Sequence, residues 1–364
     1  MADVVHLHVG APKTGTTYLQ DRLALNRGSL EDHGVAYPIG LKADMFGAAL
    51  DLIDLPWGGQ REAVRGDWES LMGRVRRAPG RAIISHEILA GAKPKQVEKA
   101  MRDLAETEMH LVFSARDLAR QIPAEWQETV KHRRVHTFRR FLGQVMESPR
   151  RNPRMWFWRA QSLPDVLTRW SSGLSPDRVH LVTVPQSRAG GTLWTRYCEA
   201  LELDPAWLTE DSERANVSVG IDETIMLRRL NRRLRAADLD SESYRAIVRE
   251  LVVHQRLALR EDKRKVTLPP SAFDWAEEVA EEWMEWVRGS GIHVVGDLED
   301  LRPRRPDPDA SWEDPDKPRQ GKVGDATMDA LVTVIMELAE RPDPDQGPVS
   351  RLARAARRLR GDTP

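Results

Sequence analysis

The stretch HLHVGAPKTGTT, residues 6–17, restricts the fold more than any other part of the chain. Val4–Val9 is a short run rich in β-branched residues, and a loop of Gly, Ala, Pro, Lys and Thr follows it. From Thr16 to about Arg27 the pattern turns helical, with Leu19 and Leu23 four apart. A buried strand that enters a helix through a Gly-rich loop is the opening unit of a parallel α/β sheet, since a helix must carry the chain back before the next parallel strand.

The rest of the chain repeats that unit. Extended segments are predicted at 34–38, 81–87, 109–116 and 178–185, with helical patterns at DWESLMGRVRRAPG, PKQVEKAMRDLAE, the polar stretch reaching residue 170, and GGTLWTRYCEALEL. This order predicts a doubly wound parallel sheet of the P-loop type with helices on both faces and extra helical segments. Residues 221–260 read as helical and Arg-rich, and 274–288 as a helix with Trp275, Trp283 and Trp286, of which Trp275, Val279 and Trp283, or Val279, Trp283 and Trp286, share a face that reads as core; HVVGDLEDL (293–301) closes the domain. Residues 1–301 are therefore read as one α/β domain and 302–364 as a linker and tail. The linker is Pro-, Arg- and Asp-rich, which predicts a disordered or extended segment. An amphipathic helix, ATMDALVTVIMELAE, comes next, and the chain ends in a short basic helix, PVSRLARAARRLRGD.

Charge and cysteine usage remove several function classes. The net charge of -1 over 364 residues lacks the basic excess of a nucleic-acid binder. One cysteine, Cys198, cannot build an intramolecular disulfide or a Cys-based zinc site, and its helical neighbours Tyr197 and Leu201 mark it as a buried small hydrophobe. Without a signal peptide pattern or a run of about 18 apolar residues, a soluble cytoplasmic protein with no membrane span is expected. The basic terminal helix leaves peripheral contact with an acidic or membrane surface open.

The loop has the makings of a phosphate site. Backbone N–H groups from Thr14 to Thr17 lie at a helix start, where the dipole favours negative charge. Gly15 permits close backbone approach, Thr16 and Thr17 add hydroxyl donors, and Lys13 adds a full positive charge. Written out, GAPKTGTT matches both glycines of the nucleoside-triphosphatase pattern but carries Thr16 where that pattern needs its Lys.

Lys two residues before the second Gly resembles the P-K-[ST]-G-T-T signature of the sulfotransferase superfamily, bacterial sulfotransferase-like branch, over residues 1 to about 301. The resemblance implies a co-substrate, 3'-phosphoadenosine 5'-phosphosulfate (PAPS), held at its 5'-phosphosulfate by Lys13, Thr14, Gly15, Thr16 and Thr17. It implies transfer of a sulfuryl group to an acceptor hydroxyl of a carbohydrate or small metabolite, with no metal. Lys13 would stabilise the charge building on the leaving oxygen. Arg116, at the end of the strand in VFSARDLARQ, matches the family's 3'-phosphate Arg; eight residues on, where the family has Ser, stands Ala124. Ser114, Arg120 or Gln121 then supplies the missing contact. The family's base follows a central strand and is His or Glu; His86 and Glu87 both stand there, with Glu87 preferred for its Ser-x-Glu context. Asn216 and Ser218 in RANVSVG resemble a nucleotide-contacting or turn-forming segment of bacterial members.

Two other readings remain: a P-loop kinase or nucleoside triphosphatase, which needs a strand-end Asp for magnesium and finds only Asp117, and a catalytically inactive nucleotide-binding scaffold. On the acceptor side, Trp156 and Trp158 are either a sugar platform or core, and the basic run Lys131–Arg140 reads as a solvated helix face or as a patch that attracts an anionic acceptor.

Overall fold

Six short strands assemble into one sheet in the order β2-β3-β1-β4-β5-β6: β1 Val4–His8, β2 Val35–Ala36, β3 Arg81–Ser85, β4 Glu108–Ala115, β5 Val179–Thr183 and β6 His293–Val295. The computed structural model describes residues 2–39, 45–55, 57–187, 192–212, 218–307, 309 and 311–340. Every strand pair is parallel. Parallel strands need crossovers, and the helices supplied by those crossovers cover both faces, so the central strands read as nearly continuous apolar runs. In β5 all positions are buried, and in β1 all but the first.

The helices in chain order are α1 Thr16–Leu25, α2 Arg27–Asp32, α3 Met45–Ile53, α4 Asp67–Arg77, α5 Pro94–Asp103, α6 Leu118–Lys131, α7 Phe138–Glu147, α8 Trp156–Gln161, α9 Leu163–Trp170, α10 Thr192–Ala200, α11 Ile221–Ala236, the single turn α12 Ser241–Ser243, α13 Phe273–Ser290 and α14 Gln320–Glu340. Leu19 and Leu23 of α1 are fully buried, as their spacing predicts. The helix expected across 221–260 is interrupted: α11 stops at Ala236, Asp238 takes a positive φ of 47°, and the chain resumes through α12 into a π-helical stretch, Tyr244–His254. In α13, Trp283 is buried and Trp275 and Trp286 pack on the core, and Cys198 is buried.

Because β1 lies between β3 and β4, the chain leaves it toward one edge of the sheet and later crosses to the other. Ligands in open parallel sheets sit where such a reversal leaves a crevice at the carboxyl ends of the strands. The β1–α1 loop, the end of β3 and the end of β4 all meet there.

Besides His8, four histidines interrupt the apolar strands. His6 pairs in register with His110, and His180 with His293, so they cross β1, β4, β5 and β6 in a row. Burial, with the neighbouring His and Arg81 charges, pulls His6 down to about 3, and burial with His110 and His293 pulls His180 to about 4.

The described residues of 302–319 form a strap without regular structure that is pinned to the body at several points. Arg305 pairs with Glu277 at 2.7 Å, the Trp312 indole donates to the Thr267 carbonyl at 3.2 Å, and Arg264 meets Glu313 at 3.0 Å. α14 begins six residues before the expected amphipathic run and buries Val323, Ala326 and Ala330, leaving Leu331, Ile335 and Met336 more than half exposed. No helix among the described residues is long and apolar enough to cross a membrane. The basic segment 348–362 lies outside the described residues.

Candidate functional site

The backbone of the β1–α1 loop is fixed through its carbonyls. Gly10 O accepts from the Ser114 backbone at 2.5 Å and from the Ser114 hydroxyl at 2.9 Å. Ala11 O accepts from the Thr14 hydroxyl at 2.6 Å. Pro12 O accepts from both Gln121 and Gln161, at 2.6 and 3.1 Å. Lys13 O accepts from Arg116 at 3.3 Å, and Thr14 O from the Tyr197 hydroxyl at 3.1 Å. Five consecutive carbonyls are thus tied down, one by the loop's own Thr14 and four by β4, the Arg116 that follows it, α6, α8 and α10. Positive φ at Lys13 (65°) and Gly15 (94°) turns the chain into α1. Among the described residues, nothing accepts a hydrogen bond from the backbone N–H groups of Lys13 to Thr17. Successive N–H groups of this kind at a helix start form an anion-binding concavity.

Beneath the loop sits His8, fully buried, with Nδ1 2.8 Å from the Ser85 hydroxyl and Nε2 3.4 Å from that of Ser114. Burial lowers its pKa to about 4, so it is a neutral spacer between β3 and β4.

Lys13 is the one loop side chain that meets a carboxylate: its Nζ lies 2.5 Å from Glu128 Oε2, with a third of the side chain exposed (33%). Burial pulls the ammonium down, but Glu128, Glu125 and Glu87 outweigh it and hold the pKa above the usual lysine value. Burial alone would raise Glu128; Lys13, His132 and Lys131 outweigh it and hold this carboxyl well below its ordinary range. Glu128 keeps two further partners, His132 Nε2 at 3.3 Å and Lys131 Nζ at 3.4 Å. Glu125, one turn earlier and only 4% exposed, accepts from Gln161 at 3.2 Å. Burial pushes its carboxyl up to about 7, Lys13 opposing and Glu128 assisting.

The β3 end supplies the other acidic group. Glu87 accepts from Gln20 Nε2 at 3.0 Å. Burial would raise it, but His86, backbone N–H, Gln20 and Lys13 hold it below the usual range, so it is a carboxylate at neutral pH. His86 Nδ1 accepts from the Ile88 backbone at 3.2 Å, which puts the proton of the neutral ring on Nε2. Its ring packs against Phe46 at 5.4 Å. Beside it, Trp57 meets Phe46, Trp156 and His132 at 6.4, 5.8 and 4.9 Å, an aromatic wall of half-buried rings. Trp158 belongs to the core instead, fully buried and donating to Val145 O.

The structure therefore gathers Lys13, Thr14, Gly15, Thr16, Thr17, Ser114, Arg116, Gln121 and Glu87 around one loop, with His86 beside Glu87. Their tasks differ: the Thr14 and Ser114 hydroxyls and the Gln121 amide are spent holding the loop from behind, Thr16 is buried, and Thr17 is exposed. Arg120 reaches Asp117 and the Val184 and Pro185 carbonyls, away from the loop. Asp117 caps α6 through Arg120 N at 3.0 Å, so the strand-end Asp needed by a magnesium-dependent phosphotransferase is already engaged. Ser218 is exposed, with no hydrogen bond to the loop, and Asn216 lies outside the described residues.

Sequence reasoning missed Glu125, Glu128, Gln161 and Tyr197. The only available signal was the spacing of Gln121, Glu125 and Glu128 at i, i+4 and i+7, one polar stripe on a helix that otherwise packs. Lys131 and His132, read as part of a solvated basic face, belong to the Glu128 cluster.

Fold and site together define a parallel α/β protein with a carbonyl-anchored β1–α1 loop beside a cluster of carboxylates. No family model matches the chain, and no curated protein or solved structure matches it either.

Proposed function

We propose that the chain is a sulfotransferase that uses PAPS and an acceptor hydroxyl. The observation that carries this reading is the loop: five anchored carbonyls on one side, and on the other the N–H groups of Lys13 to Thr17 with no acceptor among the described residues. That arrangement suits a single phosphate carrying a further anionic group. It does not suit a triphosphate and magnesium, since no Lys follows Gly15 and Asp117 is committed to α6.

In this mechanism the N–H groups of Lys13–Thr17 and the Thr17 hydroxyl hold the 5'-phosphate, and Arg116 serves the nucleotide's 3' side with Asn216 and Ser218. The donor supplies the sulfuryl group. Lys13 leaves Glu128 and turns to the phosphate oxygen from which the sulfur departs, where its ammonium stabilises the growing negative charge. Glu128 stays compensated meanwhile, because Lys131 and His132 remain on it. Glu87, ionised and beside the loop, takes the proton from the acceptor hydroxyl as its oxygen bonds to sulfur. His86, its Nδ1 occupied, orients the acceptor rather than taking the proton. The wall of Phe46, Trp57 and Trp156 offers apolar faces of the kind that stack on a sugar ring. Positioning and electrostatics carry the rate, with no covalent enzyme intermediate.

The test is a thermal melt with 3'-phosphoadenosine 5'-phosphate. At a hundredfold excess over Kd, binding stabilises by about 2.7 kcal/mol, a rise of several degrees in Tm. Lys13→Ala should melt cooperatively and lose the shift, and Glu87→Gln should keep the shift but lose transfer to any acceptor the wild type sulfates. A wild type that shows no shift at saturating nucleotide refutes the reading.

A further inference from the structure

The histidine row lies away from the loop, toward the amino ends of the strands, and the proposed reaction makes no use of it. His6 is 1% exposed, yet neither of its ring nitrogens has a hydrogen-bond partner. Buried polar nitrogens without partners are rare and costly, and an ordered water or an ion is what satisfies them. His110 is its register partner on β4, with ring centroids 5.0 Å apart. Glu202, just past α10 and held at a positive φ of 52°, brings a carboxylate to the same spot. One ligand atom from each of His6, His110 and Glu202 lies within 4.8 Å of the others. Arg81 reaches the Glu202 carbonyl at 2.8 Å but its carboxylate only at 3.5 Å, so the guanidinium chiefly anchors the backbone there.

We propose that His6, His110 and Glu202 bind one divalent cation of the zinc class, with water in the fourth position. Two imidazoles and a carboxylate are a donor set that zinc accepts, and bonds of about 2.0–2.2 Å require the three side chains to draw together by roughly an ångström. The neighbouring histidines complete the arrangement. His110 bound through Nε2 keeps its proton on Nδ1 and donates it to His180 Nε2, 2.9 Å away. His180 Nδ1 then donates to His293 Nδ1, also 2.9 Å away. Such a chain fixes the tautomer and orientation of a ligating imidazole. In exchange His110 gives up its contact with Glu108, at 3.2 Å on an exposed side chain that Arg178 also faces. The cation joins β1 and β4 to the end of α10, the helix whose Tyr197 holds the Thr14 carbonyl. It requires nothing of the sulfotransferase reading and stands if that reading fails.

The experiment uses the full chain, free of affinity tag and stripped with a chelator. Titration with zinc should show one saturable site and a higher Tm, and cobalt(II) should give the visible absorption of a four-coordinate nitrogen–oxygen site. Glu202→Gln, at an exposed position where folding is not at risk, should weaken binding at least tenfold and change the cobalt spectrum. His6→Gln should do the same, and His33→Ala, an exposed histidine stacked on Trp207, should leave affinity unchanged. Absence of one-equivalent binding overturns the proposal, as does binding that survives Glu202→Gln intact.

Discussion

Glu125 is the residue whose ionisation the fold changes most usefully. Its carboxyl titrates at about 7 in the folded protein against 4.5 in an unfolded chain, with burial as the leading cause. Between those values the folded state holds a proton that the unfolded state has lost. The stabilisation is therefore complete below pH 4.5 and disappears as pH rises through 7. Glu125→Gln keeps the Gln161 contact and removes the titration, so its stability should vary less between pH 5 and 8 and exceed wild type at pH 8 by up to about 3 kcal/mol. Melting curves at the two pH values check this; parallel profiles for both proteins would contradict it. Lys13 and Glu87 were legible from the loop and the strand end because local chain geometry dictates their positions. Glu125 and Glu128 were not. Two acids three apart on a helix ordinarily face solvent, and only the packing of α6 against the loop turns that stripe inward.

At the scale of elements, five of the six strands were readable because short β-branched runs bounded by turn residues have few alternatives, and predicted and observed limits differ by at most two residues; β6 was read only as part of the segment that closes the domain. The break in 221–260 was not readable, since nothing in the run from Ala236 to Ser241 is a Gly or Pro. The β1–α1 loop depends on its glycines for more than composition suggests. Gly10 has φ of 118°, and a Cβ placed on it would lie 2.8 Å from the Glu87 carbonyl oxygen, a backbone atom that cannot swing aside. Gly15, at φ of 94°, would meet only the Leu193 methyl, which can. Gly10→Ala should therefore cost about 2 kcal/mol or more and displace Glu87 along with the loop. Gly15→Ala should cost less in stability while spoiling the anion cradle. Comparing the Tm of the two variants with their nucleotide shifts separates these effects; equal losses in both would count against the assigned roles.

Across the whole molecule, the region after Leu301 is the place where composition and structure diverge. Pro, Arg and Asp signal a loose segment because composition registers few apolar residues; it does not register which helix ends await a partner. Asp316 meets one such end. Its carboxylate accepts from Phe138 N at 3.0 Å and Arg139 N at 2.9 Å, the first N–H groups of α7, and pairs with Arg228 at 3.2 Å. Arg228 is 5% exposed, so removing the acid strands a buried cation as well as opening a helix terminus. α14 is then held to the body by Val323, Ala326 and Ala330 and by Asp329 with Arg256 at 2.9 Å. Truncation at 303 would uncover the face of α11 on which α14 packs. Asp316→Ala should lower stability by about 2 kcal/mol and speed tryptic cleavage after Arg304 and Arg319, the basic residues of 304–319 that no Pro follows, with Asp316→Asn intermediate because it keeps an acceptor. An unchanged melt and an unchanged cleavage pattern would mean that the strap is held without this contact, and the anchoring would have to be credited to Trp312 and Arg305 instead.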